Sequence, residues 1–438
     1  MTHPIARASC ALTGRLALGA AGLAALALVL SSPAGEPSTI TLPPPWQAGR
    51  PPLRAKLLAD LGADHWQAAG VRGQGVKVLV LDTGFKGWHD QLGGALPPHV
   101  AAQSFRADHN LETRDQHGIL CGEIVHTLAP DAELLFADWD IDRPESFLEA
   151  VRWGRRQGAR IVTCSIVTPH WSDGEGRGAV HEALAGILGS GGKVGDMLCF
   201  ASAGNTTERH WGGTFHDSGD GNHEWKPGVK ENGISPWGDE QVSVGLYWQP
   251  GADYDLFVRD VTTGKELGTA HTDHHQGDRS SAILYFKPEA GHNYQARVRK
   301  IRGTAGVFHL TVMESSLEYT EARASVCFPA DGPDVIAMGA EDGSGHRVWY
   351  SACGPNSNRL KPDLMATVPF PTMMRERLFA GTSAAAPQGA ALAALLWSRH
   401  PEWTADQVRA TLRSAARDLE APGPDRETGY GLIRLPRE

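Results

Sequence analysis

Apolar residues in this chain recur in two rhythms, and the change from one to the other divides it. Val76-Lys-Val-Leu-Val-Leu81 is a nearly continuous apolar run that stops at Asp82-Thr-Gly84. Such runs belong to parallel strands covered on both faces, whose carboxyl ends collect sites in open α/β sheets. Further β runs are predicted at 133–137, 160–167 and 197–203. Helices are predicted at 63–69, 119–128, 144–157 and 179–188. Strands alternating with helices predict an α/β fold with a doubly wound, mainly parallel sheet.

After Asn205 the rhythm changes. Residues 206–237 read as polar and irregular, with Gly212 to His216 forming no strand. From 241 to 313, short alternating segments follow one another without helices: 242–248, 254–260, 281–286, 294–299 and 306–312. That spacing predicts an antiparallel β-sandwich. Strand and helix character return at 334–340 and 404–419, so the β module is inserted into the α/β domain. Near the end, Phe379-Ala-Gly-Thr-Ser-Ala-Ala-Ala-Pro387 places Ser383 at a turn into a helix, and Gln388 to Trp397 is apolar enough to be buried on all sides. Unpaired N–H groups at such a helix start favour negative charge. Pro387 is expected within a helix that has barely begun.

Composition narrows the class. Hydrophobic content of 41% and charged content of 21% suit a soluble globular protein with a sizeable core, and 438 residues leave room for more than one domain. Met1 to Ala34 reads as an export signal: Arg7 and Arg15 flank its start, Leu16 to Leu30 is small and apolar, and Ser32-Pro-Ala34 suits cleavage. Its apolar run is short for a membrane span of about 20 residues, so no stable span is expected in the mature chain. A secreted or periplasmic location follows. Cleavage removes two arginines and no acid, taking the net charge from −9 to −11, which gives no support for nucleic-acid binding. Residues 36–52 are rich in proline and predict an extended arm, within a segment bounded at 35–60. Five cysteines remain, an odd number for an exported chain, so at least one thiol is free. Cys164 and Cys199 read as buried thiols, and a Cys327–Cys353 bridge is conceivable.

Four short stretches carry chemistry. Asp82 ends a strand, His117 opens a helix in Asp115-Gln-His-Gly-Ile-Leu-Cys-Gly122, Asn205 closes Phe200-Ala-Ser-Ala-Gly-Asn205, and Ser383 opens the last apolar helix. Each has a bland reading as a turn residue or cap. In the order Asp, His, Asn, Ser they are far more specific. Val78-Leu-Val-Leu-Asp-Thr-Gly84, His117-Gly118, Ala203-Gly-Asn205 and Gly381-Thr-Ser-Ala-Ala-Ala-Pro387 resemble the motif blocks of the subtilases, the subtilisin-like serine peptidases. Lys361-Pro-Asp363, His400-Pro-Glu402 and Gly429-Tyr-Gly-Leu432 are similar to subtilase surroundings. The resemblance covers about 61–213 and 326–438, leaving 214–325 as the inserted β module. That module resembles pre-peptidase C-terminal-like sandwiches through Ala252-Asp-Tyr-Asp-Leu-Phe257.

The resemblance implies an exported serine endopeptidase acting on protein or peptide substrates. Asp82 would orient His117, His117 would take the proton of Ser383, and Asn205 would help hold the oxyanion. Ser165, Ile166 and Val167 would form the substrate-binding edge. Cys121 resembles the thiol of proteinase K-like members and reads as packing under the site. No cofactor is required for this chemistry; subtilases often bind structural calcium, and no residue here is assigned to it. Departures are Ile119-Leu120 after His117-Gly118, Gln388 after Pro387, and Val167, whose side chain narrows the expected specificity pocket. The segment before the catalytic region is also too short for the family's usual folding propeptide.

Two rivals remain. Asp82-Thr-Gly84 and Asp217-Ser-Gly219 supply the triplets of an aspartic peptidase, which needs two equivalent β lobes. A catalytically silent peptidase-like binding protein, acting through the β module, is the alternative of another class. His271, His274 and His275, with His210, His216 and His223, fit no tight zinc spacing and are expected in solvated loops. Asp253 and Asp255 alternate along a strand and are expected to face solvent.

Overall fold

A computed structural model describes residues 50–113, 115–271, 280–354, 356 and 359–437. Met1 to Ala34, expected to be an export signal, residues 35–49 of the arm, His274 and His275 lie outside them. The first described element is not extended. Helix α1 (Arg50–Leu61) places Pro51 and Pro52 in its first turn, where a missing N–H costs nothing, and buries Leu57 and Leu61 in the core. Apolar positions four apart on one helix face thus override the proline-rich start.

Helix α2 (Ala63–Ala68) and strand β1 (Lys77–Leu81) follow. The chain continues through β2 (Val100–Phe105), α3 (His117–Leu128), β3 (Glu133–Trp139), α4 (Pro144–Arg156), β4 (Ile161–Cys164), α5 (Ala179–Leu188) and β5 (Leu198–Ser202). After a β-rich stretch come β15 (Val335–Glu341), β16 (Leu364–Thr367), α6 (Thr382–Arg399) and α7 (Ala405–Ala415). Seven of these strands form one parallel sheet in the order β16-β15-β5-β4-β1-β3-β2. The order reverses around β1, so the switch point lies at the strand whose carboxyl end carries Asp82.

Side-chain alternation along β1 explains the unbroken apolar run. Val78 and Val80 pack on one face with Ile119, Ile124 and the α6 residues Ala384 to Trp397. Leu79 and Leu81 pack on the other with Phe147, Val151, Leu184 and Leu188. Both faces are covered, as such a strand requires. Edge strand β2 (Val-Ala-Ala-Gln-Ser-Phe) is largely exposed and lacks that run, which is why its sequence carries no clear strand signal.

Between β5 and β15 the chain builds β6 (His210–Thr214), β7 (Asn232–Pro236), β8 (Val242–Trp248), β9 (Ala252–Asp260), β10 (Glu266–Ala270), β11 (Ser280–Phe286), β12 (Tyr294–Gly303), β13 (Val307–Met313) and β14 (Ser315–Leu317). They form two antiparallel sheets, β10-β9-β12-β7-β14 and β11-β8-β13-β6. One buried cluster, including Trp248, Tyr254, Leu256, Val298, Phe308 and Leu310, joins them. Strands β6 and β7 fall where irregular chain is expected. His-Trp-Gly-Gly-Thr has no period-two pattern, and β6 owes its form to pairing with β13. Asp255 is also buried rather than solvent-facing, because His271 Nδ1 (2.9 Å) and the Arg299 guanidinium (3.6 Å) meet its carboxylate.

All five described cysteines are buried free thiols, so Cys327 and Cys353 are unbridged. His210 and His223 are buried too, in contrast to the solvated loops expected for them. Burial lowers His223 to about 3, among the rings of Trp225 and Phe308.

Candidate active site

Asp82 leaves the end of β1 into the protein interior and is fully buried. Its Oδ1 accepts the N–H groups of Thr83 (2.8 Å) and Gly84 (3.2 Å). Its Oδ2 lies 2.7 Å from His117 Nδ1. A carboxylate so buried needs these partners, and together they fix its plane. His117 is the first residue of α3. Gly118 allows the helix that close approach: a Cβ there would sit 2.8 Å from Asp82 Cβ and 2.5 Å from the Phe85 ring.

Burial by itself would lower the His117 pKa, but the charge and hydrogen bond of Asp82, with the charge of Asp115, outweigh it and raise the value. Asp115 also accepts the His117 backbone N–H at 2.9 Å, which satisfies one otherwise unpaired donor at the helix start. An aspartate two residues before the histidine is the signal that could have drawn attention to it. Phe379 stands edge-on to the imidazole at 5.3 Å, a contact that nothing in the local sequence announces.

Ser383 is the second residue of α6, preceded by Gly381 with φ of +88°. A Cβ at Gly381 would lie 2.9 Å from Asn205 Nδ2. The Asn205 amide is oriented unambiguously. Its Oδ1 accepts the Thr382 N–H and hydroxyl, both at 3.0 Å, and an N–H can bond only to the oxygen end. The NH₂ end is therefore the donor that lies beside Gly381 of the serine loop. His117, Asn205 and Ser383 line one cleft of about 590 Å³, along with Asp115, Leu120, Arg375, Arg377 and Phe379.

Pro387 sits at the sixth position of α6, deeper than expected for a helix that has barely begun. Its missing N–H leaves the Ser383 carbonyl without its helical donor. Ser165 Oγ supplies a replacement at 3.0 Å, and Cys121 Sγ lies 3.7 Å away. The proline is tolerated because its neighbours mend the gap. Ser165 thus turns its hydroxyl to the α6 backbone, and Ser383 Oγ donates to the Ser165 carbonyl at 3.3 Å. Residues 165–167 lie just beyond the end of β4, with Ile166 and Val167 half-buried. Gln388 is buried and donates to the carbonyls of Thr367 (3.0 Å) and Ala384 (2.9 Å), tying α6 to the end of β16.

These observations set the chain beside known proteins. Residues 314–431 match the Subtilase family. That stretch is similar to the subtilases. Subtilisin E of Bacillus subtilis (strain 168) is 37% identical over 116 residues, 26% of this chain and 29% of that protein. The thermostable alkaline protease of Halalkalibacterium halodurans is 34% identical over 115 residues, covering 26% and 31%. The chain therefore spans less than a third of these relatives in the matched stretch. The subtilase match includes Ser383 but neither Asp82 nor His117. Over the whole fold, the CspB protease of Clostridium perfringens superposes with a TM-score of 0.60 at 16% identity, covering 85% of this chain and 94% of that one. A lanthipeptide protease aligns at a TM-score of 0.50 and 15% identity over 90% and 98%. At such identities the likeness is one of fold.

In this subtilase-like frame, one group among the described residues brings three metal-ligating side chains within 4.8 Å: Asp82, His117 and Cys121. Burial, then the nearby Asp82 charge, pushes the Cys121 thiol well above its usual range. Asp82 and His117 form a hydrogen-bonded pair, and Cys121 Sγ lies 3.9 Å from Asp82 Oδ2. Asp217 does follow a strand, β6, but it is exposed and accepts the N–H groups of Gly219 (2.8 Å) and Gly221 (3.0 Å). It belongs to a turn in the β-rich stretch.

Proposed function

We propose that this chain is an exported serine endopeptidase that hydrolyses peptide bonds through Asp82, His117 and Ser383. The observation that carries the reading is the 2.7 Å bond from buried Asp82 to His117, with Ser383 facing the same cleft from the start of α6. His117 Nδ1 donates to Asp82, which leaves Nε2 as an acceptor. As Ser383 turns from the Ser165 carbonyl toward Nε2, His117 takes its proton and Oγ attacks the substrate carbonyl. The oxyanion is held by the Asn205 amide and the Ser383 N–H. His117 then protonates the leaving amine, and water releases the acyl group from Ser383. Residues 165–167 would border the bound substrate, and Met1 to Ala34 would direct export. Residues 214–325 would form a module inserted between the two parts of the catalytic region.

Incubation with a peptide library, with new termini identified by mass spectrometry, tests the reading. Cleavage of internal peptide bonds by the native chain and none by the Ser383→Ala variant is expected; equal cleavage by both overturns it. Asn205→Ala is expected to lower kcat by about 10²–10³-fold with little change in KM, because the amide acts on charge that develops during reaction.

The raised His117 pKa sets the acid limb. Protonated His117 cannot accept the Ser383 proton, so kcat/KM falls as pH drops through a value above the ordinary imidazole range. Asp115→Asn removes one charge that raises this pKa while keeping the oxygen that accepts the His117 N–H. The acid limb is expected to shift to lower pH with the plateau retained, read from kcat/KM against pH.

A further inference from the structure

A second cavity adjoins the first at Asn205. It has a volume of about 350 Å³ and is lined by Asn205, Arg209, Trp237, Trp349, Tyr350 and Gly381, among others. Trp237 comes from the β-rich stretch, one residue beyond β7, and Trp349 from the segment between β15 and β16. Both indoles are exposed, by 53% and 65%. Large rings in solvent around a concavity mark a binding surface.

The lining is held in place. The Trp237 backbone N–H donates to the Glu314 carbonyl at 3.1 Å, and the Arg209 guanidinium stacks 4.0 Å from its ring. The Trp349 carbonyl accepts the Thr207 hydroxyl at 2.8 Å, and its ring stands edge-on to Tyr350 at 5.3 Å. The Tyr350 hydroxyl in turn accepts the Gly381 N–H at 3.0 Å. The Tyr350 side of the cavity wall is thus hydrogen-bonded to the serine loop.

We propose that this cavity is a subsite for one aromatic side chain of the polypeptide substrate. The inference rests on the peptidase reading above and names what that site recognises. A scissile carbonyl at the Asn205 amide puts neighbouring substrate residues within reach of the cavity, since an extended chain advances about 3.4 Å per residue. The volume suits a single large side chain, and the indole and phenol walls offer the offset and edge-on contacts that aromatic rings favour. Sequence between Asn205 and Ser383 that has no place in the parallel sheet would then serve recognition, through Trp237 and Arg209.

Binding to the full chain carrying Ser383→Ala tests this without turnover. The probes are fluorescein-labelled octapeptides of alanine, serine and lysine, with one phenylalanine moved through successive positions. At the favoured position phenylalanine is expected to tighten binding about tenfold over the parent peptide. Adding Trp237→Ala or Trp349→Ala should cancel that gain, while Trp237→Phe should keep most of it. Equal binding of all peptides, or a gain that survives both alanine variants, overturns the subsite. A tryptophan-dependent gain in a chain whose wild type cleaves nothing supports the subsite and removes the peptidase reading alone.

Discussion

Replacing Ser383 by alanine is expected to lower kcat for peptide hydrolysis by about 10⁴–10⁶-fold, with KM nearly unchanged. The loss is confined to chemistry because little else depends on the hydroxyl. Its one described bond is to the Ser165 carbonyl, while α6 is anchored independently by Gln388 and by the Ser165 hydroxyl on the Ser383 carbonyl. The donors proposed for the oxyanion, Asn205 and the residue 383 N–H, also survive the change and would sustain the residual rate. Steady-state kinetics on a quenched peptide, with thermal unfolding as a control, separates the two effects. An unchanged melting temperature with kcat lost is the expected pattern.

Asp82→Asn is expected to cost about 10⁴-fold in kcat. The reason lies in which oxygen is held by what. Oδ1 accepts the N–H groups of Thr83 and Gly84, so an asparagine must keep its carbonyl oxygen there. Its NH₂ then takes the place of Oδ2, 2.7 Å from His117 Nδ1. Two donors cannot share that bond, so Nδ1 becomes the acceptor and the imidazole proton moves to Nε2. His117 can no longer accept from Ser383. Removing the Asp82 charge also withdraws the main influence raising the His117 pKa, so the acid limb should fall together with the rate.

Much of this was legible because burial writes itself into sequence. The runs at β1, β4, β5 and β15 are apolar on both faces, and each reads as a covered parallel strand. The ends of β1 and β5 and the starts of α3 and α6 carry the four polar residues that stand out from those runs. What stayed hidden depends on partners distant in sequence. Strands β6 and β7 form through pairing, not pattern, and Asp255 is buried through an arginine and a histidine on other segments. Pro387 could not reveal that a serine hydroxyl more than 200 residues earlier would satisfy the carbonyl it strands. Trp237 and Trp349 reach one cavity from separate parts of the chain, and no motif joins them.

The most direct test of the central claim is labelling of the purified chain with a fluorophosphonate probe, beside Ser383→Ala and Asp82→Asn. Covalent labelling of the native chain at Ser383, none in Ser383→Ala and strongly slowed labelling in Asp82→Asn would match an activated serine. A folded native chain that takes up no probe, or one labelled equally after Ser383 is removed, would contradict it.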